Sequence, residues 1–171
     1  MTDRQEESAF AARGTLDANP GPLDTEAVVR RLIDEGFSQG HLNVCDELIA
    51  DEIVEHQDYG PDHAPGAAGV KAVVTSLRRA FSDFKLEIED LVVAGDTVWT
   101  RNVATGTHDG PYMGHPPSGR TFSIYVFDVM RVFGGRIVEH WGVPDRAGVL
   151  VQLGISRPSG VALTLRPHAN A

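Results

Sequence analysis

The chain has 171 residues, 42% of them hydrophobic and 23% charged, with 18 Gly and 10 Pro, which is the profile of one soluble globular domain able to bury about two-thirds of its surface. Fifteen Lys and Arg against 24 Asp and Glu leave a net charge of -9, a field that repels phosphate backbones and anionic lipid and so argues against nucleic-acid and membrane partners. The single cysteine, Cys45, rules out an internal disulfide framework and a cysteine-built zinc site, and no run reaches the roughly 18 apolar residues of a membrane span.

Without a basic start and an apolar stretch in the first twenty residues, the expected setting is the reducing cytoplasm. No GxGxxG or GxxxxGK[ST] occurs, so a nucleotide cradle is not expected.

Residues 1–23 are polar and end in Asn19-Pro20-Gly21-Pro22, which reads as a flexible N-terminal arm. The domain proper is expected over residues 24–154. Behind Asp24 as a cap, Val28, Val29, Leu32, Ile33 and Phe37 recur at helical spacing, and Gly40 is the stop. A short second helix follows from Asn43, then a brief strand at Ile53 and Val54, then a Pro- and His-containing loop from Gln57 to Gly66. Val70, Val73, Val74, Leu77 and Phe81 mark a third helix.

After Ser82 the period changes to two. Phe84, Leu86 and Ile88 alternate with charged residues, and Gly95-Asp96 turns the chain into a strand from Thr97 to Thr107. A loop from Asp109 to Gly119 leads to a strand from Thr121 to Val132, and Gly134-Gly135 makes a hairpin into a last strand, Arg136 to Val143. A helix from Arg146 to Leu153 closes the domain. Residues 155–171 read as a tail, with Val161, Leu163 and Leu165 able to add an edge strand. Helices followed by an antiparallel meander predict an α+β fold in which the helices cover one face of a curved sheet, leaving room for a pocket.

An unbroken hairpin register from Gly134-Gly135 pairs Phe133 with Arg136, Met130 with Glu139 and Asp128 with Trp141. One face then carries Ile124, Val126, Asp128, Met130, Glu139, Trp141 and Asp145, and the other Tyr125, Phe127, Arg131 and His140. The first face is the more apolar and is expected to be concave. Acids among hydrophobes have raised pKa values and can shuttle protons, or they can hydrogen-bond backbone and pair with cations. The earlier hairpin sets Arg101 opposite Asp90, as an in-sheet ion pair or a substrate clamp.

Gly106-Thr107-His108-Asp109-Gly110, Gly114-His115-Pro116-Pro117-Ser118-Gly119-Arg120, Gly135-Arg136-Ile137-Val138-Glu139-His140-Trp141, and Asp145 with Leu150-Val151-Gln152-Leu153-Gly154 occur in that order. Together they resemble the SnoaL-like polyketide cyclase (ester cyclase) family over roughly Asp24 to Gly154. The resemblance implies an NTF2-like cone, a homodimer or higher homo-oligomer, and a deep apolar cavity for a small hydrophobic substrate. It also implies intramolecular aldol ring closure without metal or organic cofactor, with Asp145 matching the family's acid/base and His108 near the pocket mouth. Relatives that hydroxylate, that open epoxides with pyran formation, or that only bind a ligand are the alternatives.

In this reading Asp145 is the base and His108 or Tyr125 the donor to the developing oxyanion. His56, Tyr59, Arg101, Asp128, Met130, Glu139 and Trp141 complete the expected substrate site. His140 falls on the outer face. The histidines lack HxH or HExxH spacing, so no metal is expected.

Overall fold

Gly95-Asp96 and Gly134-Gly135 are two-residue turns that pair their flanking strands, the longer loop between Thr107 and Thr121 returns the chain to pair the next two, and a single curved sheet results. The computed structural model describes residues 22–59 and 63–156. Residues 1–21 of the expected arm and the expected edge strand at Val161, Leu163 and Leu165 lie outside the described residues.

The elements are α1 (Pro22–Arg31), a π-helix (Leu32–Ser38), α2 (Asn43–Leu48), β1 (Ile49–Glu55), α3 (Gly66–Ala80), β2 (Lys85–Ala94), β3 (Thr97–Thr107), β4 (Thr121–Phe133), β5 (Arg136–Pro144) and α4 (Arg146–Gln152). The sheet order is β1-β5-β4-β3-β2. Strands β2 to β5 form the expected antiparallel meander, but β1 is longer than expected and joins β5 in parallel, so the sheet is mixed. Helix α1 begins at Pro22, before the expected Asp24 cap, a position that suits a proline because its missing N–H has no partner in the first turn.

The helices lie on the concave face. Val29, Leu32, Ile33, Phe81, Val149 and Leu153 pack with Val98, Ala104, Phe122, Ile124, Met130, Val132 and Ile137 in one buried cluster. Burying each of the larger of these side chains is worth about 1.5–3 kcal/mol. The helical layer is tied to the sheet by polar contacts as well. Ser38 Oγ donates to Leu86 O at 2.8 Å and accepts from Leu86 N at 2.9 Å, while Arg78 donates to Ser38 O at 2.9 Å.

The segment from Gly106 to Gly110 clamps the end of α3 to the end of β3. A Cβ at Gly110 would stand 1.8 Å from Arg79 O, so only glycine admits this approach. Asp109 accepts from Ser82 N at 2.9 Å, and Asp83 accepts from both Thr107 N and Thr107 Oγ1 at 2.7 Å. His108 is fully buried beside Phe81 at 5.9 Å between ring centroids, with its Nδ1 3.0 Å from Ser118 Oγ.

The β4–β5 hairpin corrects the expected register. Gly134 and Gly135 both have positive φ, 58° and 75°, which suits a two-residue turn. Phe133 pairs with Arg136 and Val132 with Ile137, but Arg131 then pairs with Glu139, leaving Val138 as the extra residue of a bulge. Beyond it every side chain of β5 changes face, as a one-residue slip requires. Met130 is therefore beside His140, Val129 beside Trp141 and Asp128 beside Gly142. A second irregularity between Ile88 and Asp90 keeps Asp90 beside Arg101, with Leu86 and Ile88 now facing the side of Ala104 and Asn102.

At the end of β5, Asp145 caps α4: its Oδ1 accepts from Gly148 N at 2.8 Å. Truncation of such a cap costs about 1 kcal/mol. Asp145→Ala is expected to lower the urea unfolding free energy by about that amount, with Asp145→Asn close to wild type.

Candidate functional site

Between the helices and the concave face of the sheet lies a cavity of about 600 Å³. That volume falls in the range of small-molecule sites, about 300–1,000 Å³. Its deep wall is apolar, with Leu32, Ile33, Phe37, Leu77, Phe81 and Phe84 among the lining. Polar groups gather at the other end, where Glu55, Gln57, Tyr59, Asp128, His140 and Arg146 face the same space.

The bulge at Val138 builds this polar end by turning His140 inward across from Met130. Parallel pairing of β1 with β5 sets Glu55 beside it. His140 Nδ1 lies 2.8 Å from Glu55 Oε2, and its Nε2 lies 3.2 Å from Asp128 Oδ1. The other Asp128 oxygen accepts from Asn102 Nδ2 at 2.7 Å, and Asn102 in turn reaches Thr100 Oγ1 at 2.9 Å. Asp128 and Asn102 are both buried.

Burial by itself would depress the His140 pKa, but hydrogen bonds and charge from Asp128 and Glu55 outweigh it and push it up to about 9. At neutral pH the ring is an imidazolium, and both nitrogens donate. The group is thus a chain of carboxylate, imidazolium and carboxylate, with a third link to an amide. Burial, aided by the nearby Glu55 and Asp128, holds the Tyr59 phenol well above its usual range, so its hydroxyl keeps its proton and is a donor. Tyr59 also stacks on His63 with centroids 4.5 Å apart.

Of the residues expected at the site, Tyr59, Asp128 and Met130 line the cavity. The others are elsewhere. Glu139 and Trp141 lie on the convex face, where His56 stacks on Trp141 at 4.4 Å and reaches Glu139 at 3.0 Å, and Arg131 bonds Glu139 at 2.8 Å. Arg101 is on that face too, paired with Glu89 and 5.7 Å from the centre of the Tyr125 ring. Tyr125 belongs to the same face because it pairs with Val103 and alternates with Ile124 and Val126. Asp145 is exposed and occupied as a helix cap, and His108 is buried in the α3 clamp, outside the cavity lining.

Glu55, Gln57, His140 and Arg146 were absent from the expected site. Only a test for a bulge in β5 would have found His140. Glu55 depended on the parallel placement of β1, which no turn residue announces.

Residues 27–153 match the SnoaL-like polyketide cyclase family. Aklanonic acid methyl ester cyclase DnrD of Streptomyces peucetius is 30% identical over 138 residues, covering 77% of this chain and 92% of DnrD. The crystal structure of IdmH from Streptomyces antibioticus is 37% identical with a TM-score of 0.66, covering 76% of this chain and 98% of IdmH. TsrD from Streptomyces laurentii superposes with a TM-score of 0.71 at 26% identity, over 80% of this chain and 98% of TsrD. With the family matched across the helices, the sheet and the cavity they enclose, this chain belongs to the SnoaL-like polyketide cyclases and is an enzyme of that family.

Proposed function

We propose that this enzyme closes a ring in a polyketide ester by a cofactor-independent intramolecular aldol reaction, with Asp128 as the general acid/base. The observation that carries the reading is the Asp128–His140 pair at the polar end of an otherwise apolar cavity. An aldol closure needs a base for a C–H flanked by carbonyls, a donor for the developing oxyanion, and a wall that folds the chain.

Asp128 takes the proton, and the C–H electron pair passes into the enolate. The enolate carbon then attacks the second carbonyl of the same molecule, and the new alkoxide takes a proton back from Asp128. No electron enters or leaves, so the step balances without a redox partner. His140 holds Asp128 in place through its Nε2 proton, and Glu55 fixes the ring from the other side. Tyr59 supplies a hydrogen bond to the enolate oxygen. Catalysis by such positioned acids and bases is worth about 10²–10⁴-fold.

The family resemblance also supports a homodimer. The convex face exposes Val92, Trp99, Phe127 and Val143, at 59%, 57%, 51% and 68%. The ion pairs Arg101–Glu89 and Arg131–Glu139 flank them, so a second copy meets both signs of charge. Trp99→Glu combined with Phe127→Glu is expected to convert a dimer to a monomer in sedimentation equilibrium. A wild-type monomer contradicts this part of the reading.

With aklanonic acid methyl ester as the probe, Asp128→Asn is expected to lower kcat by about 10²-fold or more while the far-ultraviolet circular dichroism is unchanged. Turnover at the wild-type rate in that variant would sink the acid/base assignment. The wild-type reaction must also proceed under oxygen-free conditions, which a hydroxylation cannot.

Stability carries the mark of the same pair. The folded pKa of His140 is raised above its ordinary value near 6.5, so its stabilisation is complete below that value and is lost as pH rises through about 9. The urea midpoint is expected to fall between pH 6.5 and 9, a slope that His140→Gln flattens.

A further inference from the structure

We infer that Gln57 is a second oxyanion donor, acting with Tyr59 on the enolate oxygen, and that Gly142 is the seat that lets it reach the reacting atoms. The inference rests on the Asp128 reading above and adds a catalytic residue to it. Gln57 is half-buried in the cavity wall immediately after β1. Its backbone N–H donates to Glu55 Oε1 at 2.8 Å, which fixes its main chain beside the carboxylate that holds His140.

Gly142 lies opposite Asp128 on β4, on the concave face. A Cβ at this position would come 2.0 Å from Gln57 Oε1, 2.9 Å from Asp128 Oδ1 and 2.9 Å from His140 Cε1. The carboxamide therefore occupies the space that any other residue at 142 would fill, and that same space abuts both members of the acid/base pair. Polar satisfaction singles out this amide. Each oxygen of Asp128 already accepts one bond, from His140 and from Asn102, and both nitrogens of His140 are engaged. Among the described residues, the Gln57 carboxamide has no hydrogen-bonding side-chain or backbone partner. The amide oxygen lies against Gly142, and among the described residues its Nε2 donates to no protein group, which leaves that N–H for a carbonyl oxygen of the substrate.

When Asp128 removes the proton, negative charge gathers on that oxygen, and an N–H aimed there strengthens its bond as the enolate forms. A plain alternative is that Gln57 only plugs the wall between the cavity and the small outer pocket it shares with His56, Gly142 and Arg146. A plug needs bulk; a donor needs N–H.

Gln57→Met keeps the length and removes the donor. With the same ester probe, it is expected to lower kcat by about 10²-fold with KM changed by no more than about threefold, because the lost bond strengthens only in the transition state. A Gln57→Met enzyme within about twofold of wild-type kcat would overturn the inference in favour of the plug. If Asp128→Asn abolishes turnover while Gln57→Met does not, the base stands and the donor falls; if Asp128→Asn turns over normally, the underlying reading falls instead.

A second measurement does not depend on turnover. The carbonyl stretch of bound 1-tetralone, a ketone that only accepts hydrogen bonds, is expected at lower frequency in wild type than in Gln57→Met. Equal frequencies in the two proteins, or no binding of the ketone to either, would contradict a donor at this position.

Discussion

One imidazolium held between two carboxylates organises the polar end of the cavity. His140 bonds Asp128 on β4 and Glu55 on β1, so it ties together the edge strand, its own strand β5 and the next strand in. Burying a charged ring is costly unless its hydrogen bonds are complete. Here both nitrogens are engaged, and the carboxylate that faces the cavity is supported from behind by Asn102. The hydrogen-bonded cluster stands at the wall of an otherwise apolar cavity, where electrostatic effects on a bound substrate are stronger than in open water.

Chemistry and folding share the same residues at this end. The Val138 bulge that turns His140 inward also turns Glu139 and Trp141 outward, where they form a separate cluster with His56 and Arg131. The two clusters occupy opposite sides of one strand. The segment from Gly106 to Gly110 holds the end of α3, with Gly106 packed against the Phe81 and Phe122 side chains and Gly110 against Arg79 O.

The helical stripes, the change to period two and the Gly134-Gly135 turn were legible because each is a local pattern. So were the chain order of the elements and the placement of Asp128 and Met130 on the concave face, since β4 follows the alternation set by Ile124 and Val126. The content of β5 past Ile137 was not legible. A bulge adds one residue without an obligatory glycine, and Val138 carries no signal that distinguishes it from an ordinary strand residue. The same slip moved Glu139, Trp141 and His140 at once. Asp145 shows the limit of local pattern at a strand end: an aspartate before a short helix fits a cap as well as a base, and the structure places it exposed with Oδ1 accepting from Gly148 N. Glu55 and Gln57 depended on the parallel β1–β5 pairing, a contact between segments some 85 residues apart that no local rule anticipates.

The account turns on whether Asp128 exchanges a proton with carbon in a bound ligand. A β-keto ester that lacks a second carbonyl to attack cannot cyclise, so deuterium uptake at its acidic carbon in heavy water isolates that step. The account predicts that wild-type protein accelerates uptake above the buffer rate and that Asp128→Asn does not. Uptake that is equally fast with the variant would contradict it.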